Sequence, residues 1–366
     1  MPARHLYLHV PFCTRRCSYC DFSIAVRKNV PVNDYLRGIS TELNRRDDVG
    51  PVLDTVYLGG GTPSKLGPDG ISRVLDVVRS RSEIAQDAEV TIEANPEDIS
   101  PAAAAAWTQA GVNRVSIGLQ SFDDAVLAWM HRVHSAVDSR RAVDTVRSAG
   151  ITNFSVDLIF SLPDELNRDW RQDLEQALAL EPPHISLYGL TVEPSTPLAR
   201  WKSRGAVTES GEDRYASEFL IADTMAAARG YRHYEVSNFA KPGFESRHNS
   251  SYWTGAAYAG IGPSAHSFDG TTRSWNVSAY ADWMRRLDQG QPVVEVKETL
   301  DDGNRASERV YLGLRTDTGL RAGAADLSKA DQWRSHGWAS IDEDVIRLTP
   351  EGWLRLDSLA AGLTGF

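Results

Sequence analysis

The sequence predicts an α/β fold: a partial parallel barrel followed by an extension and a small α+β domain. Short runs rich in β-branched and aromatic residues alternate with helical stretches long enough to return over a sheet, which makes neighbouring strands parallel. Polar and glycine-rich residues follow these strands repeatedly, as at the ligand-binding end of α/β barrels. Of the 366 residues, 42% are hydrophobic and 24% charged, so the chain can bury a large core.

Six strand–helix units account for the sequence up to about residue 235. Six units fit either a parallel barrel or an open doubly wound sheet, and the polar residues behind the strands favour a partial (β/α)6 barrel. The predicted strands span 6–10, 55–59, 89–94, 114–119, 154–160 and 184–190. The predicted helices span 34–46, 68–80, 100–110, 123–148, 166–180 and 212–229.

Beyond about residue 235 the regular alternation of strands and helices ends. We therefore divide the chain into a partial barrel at 1–235, a loop-rich segment at 236–280 and a C-terminal helical domain at 281–366. The middle segment has no clear period, and its aromatic residues predict that it is ordered. In the last unit, "WASID" and "VIRLTPEGWLRLDSLAAGL" predict a strand, a hairpin turn and a helix in winged-helix-like order.

The net charge of −10 argues against nucleic acid as a partner, because phosphate binding draws on clustered lysine and arginine. It also disfavours electrostatic docking on anionic lipid, while partner-mediated peripheral membrane contact stays open. No stretch approaches the roughly 18 consecutive apolar residues of a transmembrane segment, and the N-terminal residues lack the apolar core of a signal peptide. We therefore expect a cytoplasmic protein.

The three cysteines of the chain, Cys13, Cys17 and Cys20, form one CxxxCxxC motif. Three thiolates on a tight loop can hold a [4Fe–4S] cluster and leave one iron open to an exogenous ligand. Zinc is the alternative, but a structural zinc site needs a fourth protein ligand, here His5 or His9. A disulfide with a spare thiol is disfavoured in a reducing compartment. The spacing favours the cluster.

Residues in or just after three other predicted strands are candidates for binding a ligand. "GGGTP" at 59–63 follows the second strand, where glycines allow backbone N–H groups to approach a ligand, although a plain tight turn has the same pattern. Glu93 ends the third strand and is either a ligand contact or a solvated carboxylate. Asp157 lies in an apolar strand and needs a partner, either a ligand hydroxyl or an internal arginine.

The CxxxCxxC motif preceded by "YLHVPF" resembles the signature of radical S-adenosylmethionine (SAM) proteins. In that family SAM chelates the open iron through its amino and carboxylate groups. The resemblance implies that Cys13, Cys17 and Cys20 ligate a [4Fe–4S] cluster. It also implies SAM contacts from Tyr7, Tyr19, Gly60, Gly61, Thr62, Glu93, Gln120, Arg132 and Asp157.

The order of motifs up to about residue 280 resembles one group of that family more closely. This group contains the oxygen-independent coproporphyrinogen III dehydrogenases and their paralogues, the heme chaperones. The dehydrogenases have a further cysteine where Phe22 stands, and a long extension where twelve residues precede Cys13. The chaperones carry HNxxYW, which implies heme contacts from His248, Asn249, Tyr252 and Trp253.

The chemistry of this motif suits heme, because neutral imidazole ligates heme iron and aromatic rings can lie against a porphyrin. The alternative is a polar loop with aromatic anchors. His266 is a second candidate ligand, although "PSAHSF" is more typical of a hydrogen-bonded structural histidine. This sequence departs from the pattern of the chaperone group at two places. Ser246 stands where the group often has a cysteine, and "SLPDE" replaces a glycine-rich turn.

The resemblance thus implies a heme-binding protein with a SAM-ligated cluster that delivers heme to apo-hemoproteins, expected to be respiratory ones. It also implies a monomer–homodimer equilibrium, and no catalytic residue is assigned. The alternative function is a radical SAM enzyme that oxidatively decarboxylates porphyrinogen propionates.

Overall fold

A mixed sheet of twelve strands forms the centre of the fold in the computed structural model, which describes residues 2–364. Two smaller sheets are separate from it. One flanks the segment that contains the three cysteines, which we call the cysteine segment, and the other lies near the C-terminus. The strands are β1 (His5–Val10), β2 (Phe12–Cys13), β3 (Ala25–Val26), β4 (Val52–Gly60), β5 (Glu83–Ala94), β6 (Arg114–Gln120), β7 (Asn153–Phe160), β8 (His184–Gly189), β9 (Arg232–Glu235), β10 (Asn238–Ala240), β11 (Tyr258–Ile261), β12 (His266–Phe268), β13 (Thr272–Asn276), β14 (Val294–Thr299), β15 (Leu320–Arg321), β16 (Ala339–Asp342) and β17 (Val345–Leu348).

Many of the helices begin at capping residues that the local sequence supplies. Ser100 accepts a hydrogen bond from the Ala103 N–H at 3.1 Å, and Pro101 follows at the first helical position. The helices are α1 (Val32–Leu43), α2 (Gly67–Arg79), α3 (Pro101–Ala110), α4 (Asp124–Trp129), α5 (Ala136–Ser148), α6 (Trp170–Ala179), α7 (Pro197–Ser203), α8 (Glu212–Ala227), α9 (Arg247–Trp253), α10 (Tyr280–Asp288), α11 (Asp302–Leu314), α12 (Ala324–Ser335), α13 (Pro350–Trp353) and α14 (Leu356–Thr364).

The six predicted strands form the parallel part of the large sheet, in the order β1-β4-β5-β6-β7-β8. This confirms the predicted α/β class with a partial parallel barrel. Strand β11 adds to β1 in parallel, and strands β12 to β14 continue that edge in antiparallel pairing. At the other edge β10 and β9 follow β8, also antiparallel. Side chains of the parallel strands fill the core, among them Leu8, Val56, Ile92, Ile117 and Val156.

The prediction of a single helix at 123–148 is wrong, because α4 ends at Trp129 and a second helix, α5, begins at Ala136. His131 between them has a φ of +61°, which an α-helix cannot contain. Ser135 then starts α5 in a capping box with Asp138. The break places Arg132 on a short connection at the end of the sheet.

The segment predicted to be rich in loops contains regular structure, namely β10, α9 and the three strands β11 to β13. The HNxxYW residues lie on α9, a short helix packed next to β4. The strands of this segment are too short to show a period, which is why the sequence pattern did not reveal them.

The C-terminal part forms the predicted small α+β unit, with a three-stranded antiparallel sheet ordered β15-β17-β16. It packs on the rest of the chain through Trp353, whose ring lies 4.3 Å from that of His233. The Trp353 indole N–H donates to the Leu314 carbonyl at 2.9 Å. Among residues 2–364, no helix has the length and apolar character required to span a membrane.

Candidate functional site

A cavity of about 560 Å³ opens at the carboxyl ends of β4 to β8 and is closed on one side by the cysteine segment. Its size lies in the usual range for cofactor sites, about 300–1,000 Å³. The cavity brings together most of the residues predicted for the cluster and SAM. These are Cys13, Cys17, Cys20, Tyr19, Gly60, Gly61, Thr62, Glu93, Gln120, Arg132 and Asp157.

The cysteine segment is a closed loop held at its neck by β2 and β3. The Ala25 N–H donates to the Pro11 carbonyl at 2.7 Å, and the Arg27 N–H donates to the Cys13 carbonyl at 2.9 Å. Within the loop, the Ser18 N–H donates to the Met130 carbonyl at 3.2 Å. The break between α4 and α5 therefore anchors the cysteine loop as well as presenting Arg132.

All three cysteines are half-buried free thiols at the cavity wall. Cys13 Sγ lies 3.4 Å from the Thr62 hydroxyl, and Arg132 Nη1 lies 3.7 Å from Cys17 Sγ. Burial raises the pKa of Cys13, and it raises the pKa of Cys20 to about 11. Within residues 2–364, no three histidine, cysteine, aspartate or glutamate side chains are already arranged to hold a metal ion.

The glycines of "GGGTP" pack against the strand that leads into the cysteine loop. Gly60 has a φ of +114°, and a Cβ there would lie 2.7 Å from the His9 ring. A Cβ on Gly61 would lie 2.8 Å from the Pro11 backbone. The absence of side chains therefore lets β4 and the cysteine loop approach each other, a role that the sequence pattern did not reveal.

Glu93 is held on β5 by two donors at the cavity wall. The Tyr57 hydroxyl donates to its Oε1 at 2.8 Å, and the Gly60 N–H donates to its Oε2 at 3.0 Å. Burial raises the pKa of this carboxyl to about 7, against an ordinary 4.5, because desolvation disfavours the charged form more than the two donors favour it. Glu93 is therefore a buried carboxyl that titrates near neutral pH.

Arg132 is fixed by acceptors from two strand ends. Its Nη2 donates to Asn95 Oδ1 at 2.7 Å and to the Gly118 carbonyl at 2.9 Å. Its buried Nε has no hydrogen-bond partner among the described residues. Gln120 lies beside it with a φ of +67°, at an irregularity in the pairing of β6 and β7. Asn95 was not singled out in the sequence, although it follows a strand in "IEANPE".

Asp157 accepts hydrogen bonds from serine hydroxyls instead of pairing with an arginine. Ser116 Oγ lies 2.8 Å from its Oδ2, and Ser155 Oγ lies 2.9 Å from its Oδ1. Burial raises the pKa of this carboxyl. The sequence left open two partners for Asp157, an internal arginine and a ligand hydroxyl. No arginine of the described residues contacts its carboxyl. The carboxyl borders the cavity, where a ligand hydroxyl could reach it.

A second cavity of about 570 Å³ adjoins the first, and some of the remaining predicted residues line it. Tyr7 borders this cavity and not the first, although its ring stacks on Tyr57, whose hydroxyl donates to Glu93. Tyr252, Trp253 and His266 also line it. Asn249 is half-buried and lines neither cavity.

His248 is buried at the start of α9, with 1% of its surface exposed. Its Nδ1 lies 2.7 Å from the Thr55 hydroxyl and its Nε2 lies 2.8 Å from the Tyr252 hydroxyl. Burial lowers the pKa of this imidazole to about 3, so it is neutral. Both ring nitrogens therefore already have partners within the chain.

Ser246, which replaces the cysteine common in the resembling group, caps α9. Its hydroxyl accepts from the Asn249 N–H at 3.3 Å. The Glu89 carboxylate accepts from the N–H groups of Arg247 at 3.0 Å and His248 at 2.9 Å, at the same helix end. These acceptors fix the first turn of α9 and hence the position of the HNxxYW residues.

The fold and the thiol-lined cavity define the class of protein. Residues 7–177 match the Radical SAM superfamily. The solved structure of coproporphyrinogen III oxidase (HemN) from Escherichia coli, described as a radical SAM enzyme, superimposes with a TM-score of 0.82 over 98% of this chain and 89% of that chain. Because the sequence identity is 20%, this superposition shows a common fold alone. Radical SAM proteins use SAM and a [4Fe–4S] cluster, and the three thiols beside Arg132 are a suitable donor set for such a cluster.

Curated relatives show which family within the Radical SAM superfamily this chain belongs to. The heme chaperone HemW of Mycobacterium tuberculosis is 37% identical over 98% of this chain and 94% of its own length. The heme chaperone HemW of Escherichia coli is 39% identical over 73% of this chain and 70% of its own length. The chain belongs to the heme chaperone HemW family of radical SAM proteins.

Proposed function

We propose that this chain is a cytoplasmic heme chaperone that binds heme and delivers it to apo-hemoproteins, with respiratory hemoproteins as recipients. The observation that carries the proposal is the pair of adjoining cavities, one lined by three thiols and the other by aromatic side chains and two imidazoles. Asp21 and Phe22 border both cavities. Curated relatives that are 37% and 39% identical to this chain are named heme chaperones, which supports the assignment.

In this proposal Cys13, Cys17 and Cys20 hold a [4Fe–4S] cluster in the first cavity. When bound, the cluster supplies one-electron chemistry to SAM. Arg132 would keep Cys17 in place, since its guanidinium is anchored by Asn95 and the Gly118 carbonyl. The cluster would then stand at the cavity wall formed by the closed loop.

The remaining residues of the first cavity would bind SAM. Glu93, once deprotonated, would accept from the SAM ammonium group, and Asp157 would accept from a ribose hydroxyl. Tyr19, Gly60, Gly61, Thr62 and Gln120 would complete the cavity around them. Cluster and SAM would serve assembly, homodimerisation or regulated release of heme.

The HNxxYW residues would belong to the heme site. Tyr252 and Trp253 line the second cavity, where their rings would contact a porphyrin. His248 would have to release Thr55 or Tyr252 before it could ligate iron, because each holds one of its ring nitrogens. Asn249 is expected to act through the packing of α9.

The test is an anaerobic titration of hemin into protein with a reconstituted cluster, followed by the Soret absorbance. We expect saturable binding at micromolar concentration. Absence of binding, together with conversion of coproporphyrinogen III, would overturn the chaperone assignment in favour of the decarboxylating enzyme. The Cys13→Ala/Cys17→Ala/Cys20→Ala variant is the control for the cluster: it should lose the brown colour and bound iron, whereas a zinc protein would be colourless from the start.

A further inference from the structure

The second cavity has the lining of a site for a flat aromatic ligand. It lies beside β1, β11 and β12, and its volume of about 570 Å³ suits a cofactor-sized molecule. Large aromatic surfaces bind well to such walls because ring contacts add to the gain from apolar burial. The aromatic side chains that border it are Tyr7, Phe22, Tyr252, Trp253, Tyr258 and Phe268.

His9 and His266 are the two imidazoles at the wall of this cavity, and both ring nitrogens of His9 have partners, the Tyr7 hydroxyl at 3.1 Å and the Ser23 carbonyl at 3.0 Å. His266, on β12, is therefore the imidazole that the cavity offers to a metal. Its side chain is exposed, and its ring stacks on Trp275 at 5.5 Å with an interplanar angle of 17°. No hydrogen bond within the described residues occupies its ring nitrogens. His248 differs in both respects, since it is buried and both its nitrogens are hydrogen-bonded. An iron ligand needs a free lone pair, which His266 has.

The backbone around His266 is held in a defined position. Ser264, which also borders the cavity, has a φ of +61°, a conformation that costs energy for a residue with a side chain. A Cβ on Gly260 would lie 2.1 Å from the His266 carbonyl oxygen, so close approach of β11 to β12 depends on that glycine. Such strain at a cavity wall is typical of functional sites.

Arg273 provides the positive charge at this cavity. Its guanidinium lies 5.7 Å from the Phe268 ring centroid and is paired with Glu308, which lines the same cavity. Heme carries two propionate groups, and an arginine at the cavity wall can bind a carboxylate with two hydrogen bonds. A propionate would therefore compete with Glu308 for Arg273.

We propose that heme binds in this second cavity with a ring nitrogen of His266 on the iron. Tyr252 and Trp253 lie against the porphyrin, and Arg273 binds a propionate. His248 is a positioning residue that holds Tyr252 through its Nε2. The inference rests on the proposed function and names the site at which that function takes place.

The experiment compares hemin titrations of the wild-type protein with those of His266→Ala and His248→Ala. His336→Ala is the matched control, because His336 is also an exposed histidine stacked on a tryptophan, at 4.7 Å from Trp338. For His266→Ala we expect at least tenfold weaker binding, a shifted Soret band and a changed ferric EPR spectrum, with added imidazole restoring the wild-type spectrum. For His248→Ala we expect weaker binding with the wild-type spectrum retained, and for His336→Ala no change.

An unchanged spectrum in His266→Ala, or loss of the axial-ligand signal in His248→Ala alone, would overturn the inference while leaving the heme chaperone intact. Failure of the wild-type protein to bind hemin would overturn the proposed function together with the inference. Circular dichroism and the iron content of the reconstituted cluster show whether each variant is folded.

Discussion

The phenol of Tyr57 donates a 2.8 Å hydrogen bond to Glu93 at the wall of the first cavity. The same ring stacks on Tyr7, with ring centroids 6.0 Å apart, and on His248, with ring centroids 4.9 Å apart and an interplanar angle of 25°. His248 in turn lies 2.8 Å from the Tyr252 hydroxyl, at the second cavity. Tyr57 thus contacts both a residue proposed to bind SAM and the HNxxYW helix.

Replacement of Tyr57 by phenylalanine should weaken SAM binding without displacing α9. The change removes a hydrogen bond that lowers the pKa of Glu93, so a larger fraction of the carboxyl stays protonated near pH 7. Loss of one such bond costs about 1 kcal/mol, or roughly a fivefold increase in the SAM dissociation constant. Tyr57→Leu is the comparison variant, since it also removes the stack on His248. Equal hemin affinity in both variants would argue against a connection through the ring.

The Glu93→Gln variant should change the dependence of stability on pH. An unfolded glutamate releases its proton near its ordinary pKa of 4.5, whereas folded Glu93 retains it up to about pH 7. The contribution of Glu93 to the free energy of unfolding therefore falls as pH rises from about 4.5 through 7. Between pH 5 and 8 the wild-type protein should lose roughly 2–3 kcal/mol relative to the variant, at about 1.4 kcal/mol per pKa unit. Urea denaturation at both pH values measures this difference, and parallel pH profiles would contradict it.

A methyl group at Gly60 should destabilise the contact between β4 and the cysteine loop. It would combine an unfavourable φ of +114° with a Cβ placed 2.7 Å from the His9 ring. We expect a loss of about 2–5 kcal/mol and impaired cluster incorporation. Gly67→Ala is the matched control, since Gly67 has a φ of +74° and open space around its Cβ. Its smaller loss, about 1–2 kcal/mol, isolates the backbone contribution. Thermal unfolding and iron content measure both effects.

Removal of the Arg132 guanidinium should reduce cluster incorporation. Arg132→Met keeps an unbranched side chain but leaves Asn95 Oδ1 and the Gly118 carbonyl without their donor, which costs about 1–3 kcal/mol. It also frees Cys17 from its only arginine contact in the described residues. We expect less iron per chain and faster loss of the cluster in air. Arg141→Met, on the exposed face of α5, is the control, and equal iron content in the two variants would refute the role of Arg132.

Substitutions of the pair Arg273 and Glu308 should have opposite effects on hemin affinity. Glu308→Gln removes the carboxylate that competes with a propionate, so binding should tighten, whereas Arg273→Gln should weaken it. A half-exposed ion pair of this kind contributes up to about 1 kcal/mol, which corresponds to as much as a fivefold change in the dissociation constant. Soret titrations at low and high salt measure the effect, which should shrink at high salt. A change in the same direction for both variants would contradict propionate binding by Arg273.

Much of the fold could be predicted because its signals are local. The six parallel strands appear as short β-rich runs, and their crossover lengths alone require parallel pairing. The helix break between Trp129 and Ala136 escaped prediction, although Ser135 and Asp138 form a recognisable capping box. Strands β11 to β13 were missed because they are only three to five residues long and pair with distant segments.

By itself the sequence determined the parallel order of the strands, the three-thiol motif and the residues that gather at the strand ends, because spacing along the chain places these on one edge of a sheet. Only the tertiary structure decided that His248 is enclosed while His266 is exposed. The partners of His248 come from Thr55, 193 positions away, and from Tyr252 on the next turn of α9. Whether a histidine has a free nitrogen depends on such long-range contacts, which no local pattern contains.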